Sequence, residues 1–171
     1  MNLHALTAGD THWLPALTTL LQDTVADGAS VGFLAPLPAD DARTYWQGVL
    51  AALGPGLQLW IASDGNALLG SVQLAPCLKP NGRHRGEVQK LMVHPASRGR
   101  GVAAALLAAL EASARAQGLH LLVLDTEQGS PAEAVYTRLG WQRAGEIPGF
   151  AIRAHGGLAA TVLFFKQLGQ P

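Results

Sequence analysis

From Glu87 the chain reads Glu87-Val88-Gln89-Lys90-Leu91-Met92-Val93-His94-Pro95 and then Arg98-Gly99-Arg100-Gly101-Val102-Ala103. A strand stops at a proline, a basic loop punctuated by glycines follows, and an alanine- and leucine-rich helix begins. Val102, Leu106 and Leu110 recur every four residues with Leu107 beside them, one apolar stripe among alanines, and Gly118 supplies the stop. This succession builds an anion cradle. At a helix start the backbone N–H groups lack intrahelical partners, and the macrodipole places partial positive charge at the same end. Gly99 and Gly101 remove the Cβ atoms that would hold a ligand off the backbone, while Arg98 and Arg100 add charged donors. A diphosphate suits such a site.

Two familiar phosphate motifs match these residues poorly. A P-loop needs Lys-Ser/Thr after its last glycine, where this chain has Val102-Ala103. A dinucleotide fingerprint fits less well, since its third glycine position, 104, is the weaker alanine and the acidic residue that should end a second parallel strand is missing from the expected place.

At 171 residues with 49% apolar content, the chain is expected to be one domain spanning 1–171. Twelve basic residues balance twelve acidic ones, so net charge gives no argument for nucleic acid or an anionic membrane as partner. The local basic excess between Arg83 and Arg100 suits a small anion. A single cysteine, Cys77, excludes an intramolecular disulfide and every multi-cysteine metal site; its apolar neighbours predict a buried strand residue. His84, His94, His120 and His155 share no ligand spacing and read as surface or loop residues, so no metal is expected. Trp46, Trp60 and Trp141 read as core or pocket-wall aromatics. Met1-Asn2-Leu3-His4 has no basic region leading into an apolar run, and the run Val102 to Leu110 is too short to span a bilayer. A cytoplasmic protein is the expectation.

The elements follow from periodicity and punctuation. A strand is expected at Leu3 to Leu6, a helix from the cap Asp10 to Ala26, and a second helix from Asp40 or Asp41 to Leu53, stopped by Gly54-Pro55-Gly56. Between the helices, Gly28-Ala29-Ser30-Val31-Gly32-Phe33 is an apolar connection, either plain linkage or a substrate-lining loop. Leu57 to Ser63 and Ala67 to Cys77 form a hairpin about Asp64-Gly65-Asn66. Leu119 to Asp125 is a continuous apolar run, expected to be a strand covered on both faces. Ser130-Pro131-Ala132-Glu133 starts another helix with cap, proline and reciprocal glutamate, and Thr161 to Phe165, extending toward Leu168, is the last strand. The order β-α-α-β-β-β-α-β-α-β-β is an α/β arrangement around a mixed sheet. Strand alternation puts Glu87, Gln89, Leu91 and Val93 on one face and Val88, Lys90 and Met92 on the other. Asp125 ends the neighbouring strand, where crevices of parallel sheets gather functional groups.

Arg98-x-x-Gly101-x-Ala103 resembles the Gln/Arg-x-x-Gly-x-Gly/Ala loop of the GNAT superfamily of N-acetyltransferases, and the order of elements is similar from Leu3 to the C-terminus. Gly28 to Phe33, Lys79-Pro80-Asn81-Gly82, Glu87 to Val93, Leu124 to Glu127 with Gly129-Ser130, Gly145 to Gly149, and Leu168-Gly169-Gln170-Pro171 resemble a narrower group, the tabtoxin-resistance acetyltransferases. The resemblance implies the GNAT fold, a mixed sheet of six or seven strands with about four helices, and acetyl-CoA as cosubstrate. It implies that residues 98–103, Arg98, Gly99, Arg100, Gly101, Val102 and Ala103, hold the pyrophosphate. The strand at Leu91, Met92 and Val93 would meet the pantetheine arm and acetyl carbonyl through its backbone.

By the same resemblance Tyr136 protonates the leaving sulfur, and Glu87 or Asp125 accepts the amine proton. Gly32, Phe33 and Gln89 face the acceptor. Many members carry an asparagine where this chain has Ser130, whose hydroxyl is expected to be committed as a helix cap. The implied reaction is direct acetylation of a small amino-acid-like amine, such as a toxin or antibiotic. Other amines (a polyamine, an aminoglycoside, a protein terminus) and a non-catalytic acetyl-CoA sensor are the alternative readings. Dimers are common in the superfamily, and the apolar C-terminal strand can support one.

Overall fold

The computed structural model describes residues 1–169, so Gln170 and Pro171 of the C-terminal segment noted above lie outside the described residues. Strand β1 (Asn2–Ala5) precedes helices α1 (Leu14–Ala26) and α2 (Ala39–Ala52), then strands β2 (Gln58–Asp64), β3 (Ala67–Pro76) and β4 (Arg85–Val93). Helix α3 (Val102–Ala116), strand β5 (Leu121–Glu127), helix α4 (Pro131–Arg138) and strands β6 (Gln142–Ile152) and β7 (Leu158–Gln167) follow. The described strands form one seven-stranded sheet in the order β1-β2-β3-β4-β5-β7-β6. Strands β4 and β5 run parallel, whereas the pairs on either side of them are antiparallel. The expected order, the mixed sheet and the number of helices are all present.

Each face of the sheet has its own apolar layer. On one, α3 buries Val102, Leu106, Leu107, Leu110 and Ala114 against Trp60, Val72, Leu74, Val88, Leu122 and Phe164, and Tyr136 and Trp141 extend the layer under α4. On the other, Leu17, Leu21 and Val25 of α1 and Trp46, Val49 and Leu50 of α2 pack on Leu59, Ile61 and Met92. Both helical sets recur at three- and four-residue steps, the spacing of one helix face. The tryptophans at 46, 60 and 141 are core residues.

Helix α3 ends as its sequence predicts. Gly118 is left-handed at φ 75°, and the N–H of Leu119 donates to the carbonyl of Ala114 at 2.9 Å, which closes the last turn. Elsewhere local signals were redirected. Asp10 does not cap α1; its carboxylate accepts from the N–H and hydroxyl of Thr7 at 2.8 and 2.7 Å, and a short 3-10 turn (Thr11–Trp13) precedes the helix. Cys77 lies just beyond β3 and is half-buried, not a buried strand residue. Strand β5 is covered on one face only: Leu122 and Leu124 are buried, whereas Asp125 on the opposite face is exposed. An apolar run long enough for a strand does not reveal how many faces are covered, because α1 and α2 pack over β2 to β4 and stop short of β5.

Gly70 of β3 sets the seat of α3. A Cβ there would lie 2.5 Å from the carbonyl oxygen of Met92 and 3.2 and 3.3 Å from side-chain atoms of Val102 and Leu106. Gly70→Ala should therefore destabilise the fold by about 1–3 kcal/mol, since backbone and helix must both shift. Urea unfolding checks this, and a variant as stable as the parent would show that the close approach is not a constraint.

Candidate active site

The site begins where β4 and β5 part. Their parallel ladder covers only Arg85, Gly86 and Glu87 against Leu121, Leu122 and Val123. Beyond it, β4 remains bonded to β3 and β5 to β7, so their inner edges diverge with backbone groups facing the gap. At the mouth of this fork stands the start of α3. Its N-cap is Gly101, left-handed at φ 77°, with no capping side chain and no acidic residue in the first turn. Gly99 is also left-handed at φ 73°, and open space lies where a Cβ would stand at either glycine. An uncapped helix start lined by bare backbone fits a diphosphate.

The predicted loop residues play different parts here. Val102 is buried and packs on Gly70, Ala103 is half-buried, and Gly99, Arg100 and Gly101 are exposed. Arg98 has a partner that its sequence context did not announce: its Nη2 lies 2.6 Å from Oδ2 of Asp27, the C-cap of α1. One turn earlier His94 Nδ1 accepts from the N–H of Ala96, and Nε2 lies 3.2 Å from Asp23. The basic loop is thus tied to the end of α1. The side chain of Met92 is buried against α1 and α2, and Leu91 and Val93 pack toward α3, so it is the backbone of these three that borders the fork.

Opposite α3, the sheet carries a polar cleft. The expected alternation along β4 fails at Lys90, whose φ is 50°. Ser71 and Gln73 of β3 face Met92 and Gln89, so β4 spends one extra residue across the same span. This bulge reverses the side-chain parity. Val88 and Leu91 both point to the α3 layer, whereas Lys90 joins Glu87, Gln89 and Met92 on the α1–α2 side. Gln89 Nε2 donates to Glu87 Oε1 at 2.9 Å. In the parallel register Asp125 lies two residues beyond Val123, the partner of Glu87, on the same face. Its Oδ2 accepts from the hydroxyl of Thr161 at 2.7 Å.

The loop between α1 and α2 walls this cleft. Phe33 meets Tyr45 of α2 edge-on at 5.2 Å, and the Lys90 ammonium sits 5.9 Å from the Tyr45 ring centre. A Cβ at Gly32, left-handed at φ 87°, would be 3.5 Å from that ammonium. Gln73 Nε2 donates to the Tyr45 hydroxyl at 3.0 Å. The β6–β7 turn closes one end: Ala154 is buried against the α1–α2 layer and accepts from the N–H of Ala35 at 2.8 Å, and His155 Nε2 lies 3.0 Å from the carbonyl of Ala26.

Tyr136 approaches from the other face. Its ring is buried between Trp141 at 5.8 Å and Phe164 at 6.0 Å, and its hydroxyl has no hydrogen-bond partner among the described residues. Burial, and then the nearby charge of Asp125, push its phenol well above the ordinary tyrosine value. Burial also lowers the Lys90 ammonium from its usual range, against the opposing pull of Asp125 and Glu87. Ser130 is not committed as a cap: its hydroxyl lies 3.3 Å from that of Thr126, while Glu133 reaches back to the N–H of Gly129 at 2.7 Å.

Glu87, Gln89, Asp125, Gly32 and Phe33 are thus brought around one cleft, with Tyr136 behind the fork and residues 98–103 at its mouth. Lys90, Tyr45 and Gln73 belong to the same cleft and were not anticipated as site residues. A lysine at the position that strict alternation would set beside the apolar Val88 and Met92 was the available signal for the first.

A model of the acetyltransferase (GNAT) family matches residues 17–141. An L-methionine sulfoximine/L-methionine sulfone acetyltransferase from Pseudomonas aeruginosa is 30% identical over 138 residues, which span 79% of this chain and 78% of that protein. The enzyme of the same name from Pseudomonas paraeruginosa is 29% identical over the same shares of both chains. Among solved structures, a GNAT superfamily phosphinothricin acetyltransferase from Sinorhizobium meliloti in complex with AcCoA matches with a TM-score of 0.78 and 20% identity, over 98% of this chain and 88% of that one.

The chain has two tyrosines, Tyr45 and Tyr136. Burial raises both phenols, opposed at Tyr45 by the Gln73 hydrogen bond and reinforced at Tyr136 by Asp125. The native state keeps protons that the unfolded chain releases, so stability should fall as pH rises through the ordinary tyrosine value. Phenolate absorbance should be weaker in the folded protein than in the denatured chain at a pH where the latter is half-ionised. Equal absorbance in the two at that pH, with unchanged circular dichroism, would contradict the burial of these hydroxyls.

Proposed function

We propose a small amino-acid-like amine as the acceptor, from the premise that this chain belongs to the acetyltransferase (GNAT) family and is an acetyl-CoA-dependent N-acetyltransferase. The observation that carries the reading is the presence of two carboxylates and one ammonium, Glu87, Asp125 and Lys90, on the open face of the fork. The Pseudomonas relatives are named for L-methionine sulfoximine and L-methionine sulfone, compact amino acids, which supports an acceptor of this size. The cleft is closed at one end by Ala154 and His155 and walled by Phe33 and Tyr45, which also favours a small molecule.

Bound acetyl-CoA supplies an acyl carbon made electrophilic by its thioester. The free N–H groups at Gly101 to Ala104 and the bare backbone at Gly99 bind the diphosphate, with Arg100 adding charge. The unpaired inner edge of β4 at Leu91, Met92 and Val93 orients the acyl arm and polarises the carbonyl by backbone donation. Only a neutral amine is nucleophilic, so Asp125 or Glu87 accepts its proton, directly or through water. Thr161 fixes the Asp125 carboxylate for this by donating to one oxygen and leaving the other available.

Tyr136 serves the departing sulfur. A thiolate, with an ordinary pKa of about 8.5 for the cysteine side chain, is a much weaker base than the phenolate of a buried tyrosine. The Tyr136 hydroxyl therefore acts first as a hydrogen-bond donor that stabilises the charge developing on sulfur, and any proton that it then gives up as the acid is balanced by the one that a carboxylate took from the amine. Toxin or antibiotic resistance is the biological setting that such an acceptor suggests.

Tyr136→Phe should lower kcat by roughly 100-fold with acetyl-CoA affinity unchanged, because the lost donor acts on charge formed during the reaction. Stopped-flow turnover and calorimetry measure the two quantities; undiminished kcat would remove the tyrosine from the chemistry. Gly101→Asp should abolish acetyl-CoA binding in calorimetry by setting a carboxylate against the diphosphate, and normal binding would overturn the cradle. Acetylation of L-methionine sulfone tests the acceptor class.

A further inference from the structure

We propose that Lys90 binds a carboxylate of the acceptor, so that this protein acetylates α-amino acids with a free acid group and discriminates against amines that lack one. The inference rests on the amino-acid reading above and narrows it. Regular alternation would have turned Lys90 toward the α3 layer beside Val88. Strand β4 instead spends an extra residue at this point and holds Lys90 at φ 50°, a left-handed conformation that is strained for a side chain of this size. The bulge delivers an ammonium to the face that carries Glu87 and Gln89.

What surrounds that ammonium points to a ligand's anion. Lys90 forms no ion pair among the described residues, although it is half-buried. A shielded cation without a bonded counter-charge is costly to maintain, so its retention needs a partner for its donors. The Tyr45 ring at 5.9 Å offers a π face on one side and leaves the other donors directed away from it. Gly32 keeps its own approach bare, since a Cβ there would stand 3.5 Å from Nζ. Burial lowers the pKa of this ammonium, and a bound carboxylate would offset that cost.

The charges also match an amino acid in pattern. Its amino and carboxylate groups sit on one carbon, and the strand registers put Asp125 and Glu87 on the face of the sheet that carries Lys90. A polyamine or an aminoglycoside would bring a second cation against Lys90, which disfavours it. Gln73 and Tyr45, bonded to each other at 3.0 Å, fix the ring over which the Lys90 ammonium sits.

The test compares L-methionine sulfone with its methyl ester, which keeps the amine and masks the acid, in the parent protein and in Lys90→Met and Lys90→Gln. The ratio of kcat/KM between the two compounds is read in each protein, so their intrinsic difference in reactivity cancels between proteins. The parent should favour the free acid over the ester by roughly 10- to 100-fold more than either variant does, the range of a charge-assisted hydrogen bond. The loss should fall mainly on the acid, because any change in the neighbouring carboxylates on removing the ammonium acts on both compounds and cancels in the ratio, and acetyl-CoA affinity should be unchanged. Equal ratios in parent and variants would overturn the role of Lys90 while leaving the amino-acid reading intact. A parent that acetylates neither compound, yet turns over another amine, would sink both. Should Lys90→Met fail to fold, the more polar Lys90→Gln carries the comparison.

Discussion

Parallel pairing between β4 and β5 lasts for three residues on each strand, and the rest of the site depends on its ending there. Backbone donors and acceptors inside a protein must be matched, and a sheet that opens in its middle leaves two edges to satisfy. The outer edges are secured: β3 holds β4 as far as Val93, and β7 holds β5 along its whole length from Leu121 to Glu127. The inner edges are therefore rigid and unpaired together, a condition that an extended arm bearing amides can meet. The start of α3 lies at the same opening because Gly70 lets the helix settle against β3 beside the Met92 carbonyl.

The fork also joins two environments that the sheet otherwise separates. Behind it the ring of Tyr136 is enclosed by Trp141 and Phe164, and burial raises its phenol above the ordinary tyrosine value. In front, Glu87, Asp125 and Lys90 occupy a solvated cleft whose far end is closed by the β6–β7 turn. Under the proposed mechanism, the donor to the sulfur and the acceptors of the amine proton would thus stand in different surroundings, the first shielded and the second open to water.

What could be read from the sequence was local. The cradle was legible because Gly99, Gly101 and the Val102–Leu106–Leu110 stripe specify a loop and a helix within a few residues of one another. The helix that carries Tyr136 was legible from Ser130-Pro131, whereas the tyrosine itself was singled out only by the family resemblance. The reversal at Lys90 was not, because a bulge is fixed by register against β3, which the residues of β4 do not encode alone. The open face of β5 was hidden for a like reason, since coverage depends on where α1 and α2 lie. Asp10 and Ser130 show the limit of capping signals: each has a suitable side chain, and each spends it on a neighbouring hydroxyl. The cradle's own capacity for a diphosphate rests on α3 having no such cap.

Helix α1 finishes at Ala26, and its last carboxylates, Asp23 and Asp27, hold His94 and Arg98 of the basic loop. The very next residue, Gly28, opens the segment that carries Gly32 and Phe33. The proposed donor side and the proposed acceptor wall are therefore both anchored at a single helix terminus, so one short stretch of α1 sets the spacing between the basic loop and the segment that carries Phe33.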